Sequence, residues 1–94
     1  MFDATVDNDG VVHLSGRFDA SQVSKAKEVF STIDKSCIID FEKLDYISSA
    51  GIGVLLETYT RLNKTGQVLK LINMNKNIRN IFYYAGLKRL FEFE

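Results

Sequence analysis

Two hydroxyls stand side by side at Ser48-Ser49, directly before Ala50-Gly51-Ile52-Gly53. The segment lies where an apolar run gives way to a helical pattern, so either serine can satisfy unpaired N–H groups at a helix start. Gly51 and Gly53 fall in the first helical turn, where each costs up to about 1 kcal/mol relative to Ala. Something other than helix propensity must favour them. Close approach of the backbone to a neighbouring element, or to a docked partner, supplies such a gain. A hydroxyl at this position also suits phosphorylation, because the added negative charge meets the positive end of the helix dipole. The residue types alone leave two readings open: a cap with packing glycines, or a modifiable hydroxyl. A phosphate-binding loop is disfavoured, since neither Gly-x-x-x-x-Gly-Lys-[Ser/Thr] nor Gly-x-Gly-x-x-Gly occurs.

The other chemically capable groups are sparse. Asp19 closes Gly16-Arg17-Phe18-Asp19 and can either cap the following helix or belong to a site at the same sheet end. His13 sits between Val12 and Leu14 with no partner within sequence reach, so a surface or half-buried position is expected. Asp40 ends an apolar run as a two-component receiver's acceptor does, but the acidic cluster and downstream Lys of a receiver are not in place. Cys37 is single, which rules out an intramolecular disulfide, and its neighbours Ile38-Ile39 suggest a buried, inert thiol. One His and one Cys build neither a metal cluster nor a Ser/His/Asp set. No cofactor is expected, and the chain is not expected to be an enzyme.

The elements that position these groups follow from the apolar pattern. Phe2 to Val6 and Val11 to Leu14 are β-prone runs joined by Asp7-Asn8-Asp9-Gly10, a strong hairpin signal. Arg17-Phe18-Asp19-Ala20-Ser21 breaks the second run and supplies caps, and Val23, Ala26, Phe30 and Ile33 line a first helix. Ser36 to Phe41 reads as a strand buried on both faces. After the segment 42–51, Ile52, Leu55, Leu56, Tyr59 and Leu62 mark a second helix that stops at Gly66. Val68 to Ile72 is a fourth strand. Asn75 caps a third helix carrying Ile78, Ile81, Phe82 and Ala85, closed by Gly86-Leu87. Arg89 to Phe93 alternates as a last strand. The expected fold is α/β, with order β-β-α-β-α-β-α-β: about five strands in a mostly parallel mixed sheet with three main helices. A length of 94 residues with no Pro and no linker composition indicates one domain, 1–94.

Composition narrows the partners. Lys plus Arg equals Asp plus Glu at 12 each, so no global field draws the chain to nucleic acid or to a membrane surface. The charge is uneven along the chain. Residues 1–60 hold five basic against ten acidic side chains, and residues 61–94 hold seven against two. Interleaving of the two halves in the fold is the expectation, making this mainly internal complementarity. Met1-Phe2-Asp3 does not open a basic, apolar leader and no apolar stretch is long enough to span a bilayer, so a cytoplasmic location without membrane insertion is expected.

Three stretches carry a family resemblance. Leu14-Ser15-Gly16-Arg17-Phe18-Asp19 resembles the LxGxxD signature that opens the STAS domains of bacterial anti-sigma factor antagonists. Asp45-Tyr46-Ile47-Ser48-Ser49-Ala50-Gly51-Ile52-Gly53-Val54-Leu55 is similar to the family's DxSGxGxL-type block, and Ile78 to Leu87 resembles its closing element. The resemblance implies that Ser49 is the phosphorylated residue, with Ser48 the second choice because it replaces the usual preceding Asp. It implies a partner-binding surface formed by Asp19, Tyr46, Ile47, Ser48, Ser49, Ala50, Gly51, Ile52 and Gly53. The implied partners are an anti-sigma factor that is itself a serine kinase of the GHKL ATPase type, bound when Ser49 is unphosphorylated, and a serine phosphatase that resets the switch. The alternative is a STAS accessory subunit of another assembly, for example a lipid-transport ABC complex, docking without phosphorylation. Many family members carry a further helix after the last strand; a chain without it exposes a patch that favours a homodimer.

Overall fold

A computed structural model of the protein describes residues 2–87 and 92–93, the last two as backbone only. The opening hairpin forms as its turn chemistry requires. Strand β1 (Asp3–Val6) pairs antiparallel with β2 (Val12–Phe18). In the turn, Asp7 Oδ1 accepts the N–H groups of Asp9 at 2.8 Å and Val11 at 3.0 Å. Strand β2 does not stop at Leu14, as the sequence pattern implied. It runs on through Gly16, whose φ of +81° accompanies a shift of register against β3 between Gly16 and Arg17. The irregularity breaks the alternation that marks a strand in sequence, and only Gly takes that backbone conformation without strain.

A short 3-10 turn (Ala20–Gln22) leads into α1 (Val23–Phe30), which buries Ala26 and Phe30. Ile33 is buried beyond the helix end, and the carbonyls of Phe30 and Ile33 accept from the Arg61 guanidinium at 2.9 and 2.7 Å. Strand β3 (Cys37–Ile47) is almost twice its expected length. Its second half was hidden by two successive exposed residues, Glu42 and Lys43, beside a register shift between His13 and Ser15. Helix α2 (Ser49–Asn63), β4 (Leu69–Ile72) and α3 (Lys76–Tyr84) follow as expected. Asn75 Oδ1 accepts from Ile78 N at 2.9 Å, and Leu87 N donates to Phe82 O at 3.0 Å to close α3, both local signals legible in sequence. Of the expected last strand, residues 89–91 lie outside the described residues. Glu92–Phe93, here β5, pair parallel with β4. The sheet is therefore four strands of four or more residues with a two-residue pairing at one edge.

Sheet order is β1-β2-β3-β4-β5, the order of the chain. Parallel crossovers of one hand that always advance in one direction place all their helices on the same face. Burial agrees. Leu14, Ile39, Phe41, Leu69 and Leu71 are buried beneath the helices, with Phe82 meeting Phe41 edge-on at 6.2 Å between ring centres. Their alternate neighbours His13, Ile38, Asp40 and Lys70 are only half-buried. Strand β3 is thus buried on one face rather than two. Cys37 is likewise half-buried, and burial pushes its thiol up to about 11, which keeps it protonated near neutrality. The chain-ordered sheet also sets the acidic and basic halves side by side instead of interleaving them. Lys25 pairs with Asp3 at 3.5 Å and Lys27 with Glu57 at 3.8 Å, each pair within residues 1–60.

Candidate functional site at the carboxyl ends of β2 and β3

Strands β2 and β3 run parallel and end together, with Phe18 paired to Ile47. Each is followed at once by a helical start, so Asp19 and Ser48-Ser49 emerge at one end of the sheet. The two ends are stitched by a hydrogen bond from Ser48 N to Phe18 O at 2.9 Å. Ser48 is the N-cap of α2, with extended backbone, and its Oγ accepts from Gly51 N at 3.2 Å. Ser49 is the first helical residue. It is exposed, and among the described residues its hydroxyl has no hydrogen-bond partner. The two serines that sequence could not separate are therefore divided by role: one hydroxyl is engaged by the fold and the other is offered to solvent.

This placement sets a direct expectation for stability. Ser48→Ala removes the cap and costs about 0.5–2 kcal/mol, whereas Ser49→Ala changes thermal stability by a few tenths, roughly, since Ala is the best helix former. Thermal melts of the two variants separate the roles. Equal losses would mean that the helix starts one residue later.

The glycines also divide. A Cβ on Gly51 would meet Ile47 Cγ1 at 2.9 Å, Phe18 O at 3.0 Å and Phe18 Cγ at 3.1 Å. Gly51 is thus the point where α2 crosses the ends of both strands. A Cβ on Gly53 would meet nothing within 4 Å, and Gly53 is exposed.

Asp19 caps the 3-10 turn. Its Oδ1 accepts from Ser21 Oγ at 2.6 Å and from Ser21 N at 3.0 Å. The Ser21 hydrogen bonds hold its carboxyl below the usual carboxylate range, helped by the nearby Arg17 guanidinium. That guanidinium lies 4.3 Å from the centre of the Tyr46 ring, a cation–π contact beside the same strand ends that sequence reasoning missed because it depends on register. Of the residues named from sequence, Ile47, Gly51 and Ile52 are buried and shape the end from below; Asp19, Tyr46, Ser48 and Ala50 are half-buried; Ser49 and Gly53 are exposed. Among the described strands the order never reverses, so the sheet has no topological switch point. Among the described residues no cluster of His, Cys, Asp or Glu is arranged to hold a metal, and no helix is long and apolar enough to cross a membrane.

Known proteins share this fold. The family model described as STAS domain matches residues 3–94. The chain is 26% identical over 83 residues to the anti-sigma-B factor antagonist of Staphylococcus aureus (strain NCTC 8325 / PS 47), covering 84% of this chain and 77% of that protein. It is 26% identical over 92 residues to the anti-sigma-B factor antagonist of Bacillus subtilis (strain 168), covering 92% and 82%. Among solved structures it superposes on the anti-sigma factor antagonist SpoIIAA in two forms. The unphosphorylated form gives a TM-score of 0.73 at 20% identity, covering 100% of this chain and 87% of the other. The phosphorylated form, from Bacillus, gives 0.72 at 22%, covering 100% and 91%. At these identities the superpositions establish the fold.

Proposed function

Since the chain belongs to the STAS domain family, we propose that it acts as an anti-sigma factor antagonist whose docking is switched at Ser49. The observation that carries this reading is the free, exposed hydroxyl of Ser49 at the first position of α2, beside a neighbouring serine already committed to the cap. In the unphosphorylated state the surface around Asp19, Tyr46, Ser49, Ala50 and Gly53 docks on an anti-sigma factor that is a serine kinase of the GHKL ATPase type, releasing the sigma factor. The kinase transfers a phosphoryl group to Ser49 Oγ, and the hydroxyl proton leaves with the departing nucleotide or solvent. The phosphate then lies against the N-terminal N–H groups of α2, where its charge is favoured, so the fold tolerates it. Docking is lost because a dianion must be desolvated in the contact. A serine phosphatase restores the first state. The chain carries no catalytic residue in this scheme; the chemistry belongs to the partners.

Intact-mass analysis of the protein from its native host, followed by mapping of the peptide containing residues 44–61, tests this. The expected result is one added phosphate on Ser49, absent in Ser49→Ala and retained in Ser48→Ala. Phosphate on Ser48 alone would overturn the residue assignment. A chain unmodified in every growth condition yet held in a stable complex would replace the switch with the accessory-subunit reading.

A further inference from the structure

Both ring nitrogens of the single His13 face a carboxylate on the sheet's uncovered side. Nε2 lies 2.8 Å from Asp7 Oδ2 and Nδ1 lies 3.4 Å from Asp40 Oδ2. A neutral imidazole serves the Asp7 carboxylate alone; an imidazolium keeps that hydrogen bond and adds a charge opposite to the nearby Asp40 carboxylate. The arrangement is complementary to the charged ring. Each carboxylate is itself anchored by its remaining oxygen. Asp7 Oδ1 holds the hairpin turn through Asp9 N and Val11 N. Asp40 Oδ1 accepts from Glu42 N at 2.9 Å and from Asn73 Nδ2 at 3.1 Å. The chain of contacts therefore runs from the β1–β2 turn through β2 and β3 to the residue after β4.

We propose that Asp7, His13 and Asp40 form a proton-dependent strap across the open face of the sheet, fastened when the imidazole is charged and slack when it is neutral. The surroundings support the charged state. Asp3 from β1, with Asp40 and Glu42 from β3, lines the same hollow as His13; Lys43 is the opposing cation there, and Thr5 of β1, paired with His13, is uncharged. On β4 the residue paired with Asp40 is Ile72, also uncharged. The hydrogen bond to Asp7 raises the His13 pKa above its ordinary 6.5, and the same bond lowers that of Asp7. The His13 contribution is thus complete below pH 6.5 and is lost as pH rises through its raised folded-state value; the Asp7 contribution is present above pH 3.8 and is lost as pH falls through its lowered one. The strap holds in the window between and slackens on either side. Both groups are solvent-accessible, so high salt weakens it.

Because His13 is the only histidine, its ring Hε1 resonance reports the proton directly by NMR. The expected midpoint lies above 6.5 and moves down in Asp7→Asn, which keeps the oxygen that accepts from the turn. After correction for intrinsic exchange, amides of the turn between Asp7 and Val12 exchange several-fold faster above that midpoint than below it. His13→Gln, folded by its amide spectrum, exchanges at the faster rate throughout. A midpoint at or below 6.5, or turn protection in His13→Gln that follows the wild type across pH, would overturn the strap.

Discussion

Gly51→Val destabilises the domain by about 3 kcal/mol in urea or thermal melts, at the upper end of what overpacking a close-packed site costs. At this chain length each kcal/mol moves Tm by roughly 4–8 °C, so the loss is large on any instrument. The cause is specific. The space a side chain would need holds the Phe18 carbonyl at 3.0 Å, which is backbone and cannot rotate away, together with Ile47 Cγ1 and the Phe18 ring. Moving α2 outward to make room would break the Ser48 N to Phe18 O hydrogen bond that joins the two strand ends. The paired control is Gly53→Ala. With nothing within 4 Å, the new methyl meets no neighbour and the helix gains up to about 1 kcal/mol. Under the proposed function the same methyl sits on the docking surface and weakens partner binding. A stabilised variant that binds less well would show that Gly53 is retained for contact. Unchanged binding would place the partner elsewhere.

Under the proposed function, Ser49→Asp leaves the fold intact and sharply weakens docking. Aspartate in the first turn of a helix interacts favourably with the dipole, so thermal stability stays equal to wild type or rises by about 0.3–1 kcal/mol. Affinity for the partner kinase falls by about 3 kcal/mol, more than a hundredfold in Kd, because a charge must be stripped of water within the contact. Ser49→Ala binds normally and is no longer switched. Titration calorimetry with the purified partner decides the matter: a Ser49→Asp chain that is folded and binds as wild type does would remove Ser49 from the interface.

What could be read from sequence was whatever is decided within a few residues. The Asp7-Gly10 turn, the Asn75 cap and the Gly86-Leu87 closure each depend on neighbours along the chain, and each stands where the residue types put it. The two shortened strands share one cause. Gly16 and the Glu42-Lys43 pair sit at register shifts between β2 and β3, so alternation fails locally and both strands looked shorter than they are. Pairing register between β2 and β3 also gave His13 its Asp40 and Arg17 its Tyr46, contacts that no spacing in sequence joins. At the site, the motif located the helix start, but whether Ser48 or Ser49 faces solvent turns on a one-residue boundary. Only the hydrogen bond from Gly51 N fixes it.

Because each strand pairs with the one made just before it, a chain leaving the ribosome finds its sheet neighbour already laid down. The pairing of Phe18 with Ile47, and the hydrogen bond from Ser48 N to Phe18 O at the helix start, join residues that all precede β4. That end of the sheet can therefore be assembled while β4 and α3 are still being synthesised. During that interval the far edge of β3 has unpaired backbone groups and Phe41 lacks the ring of Phe82, so the nascent domain is most prone to aggregation just after the β2–β3 end has formed.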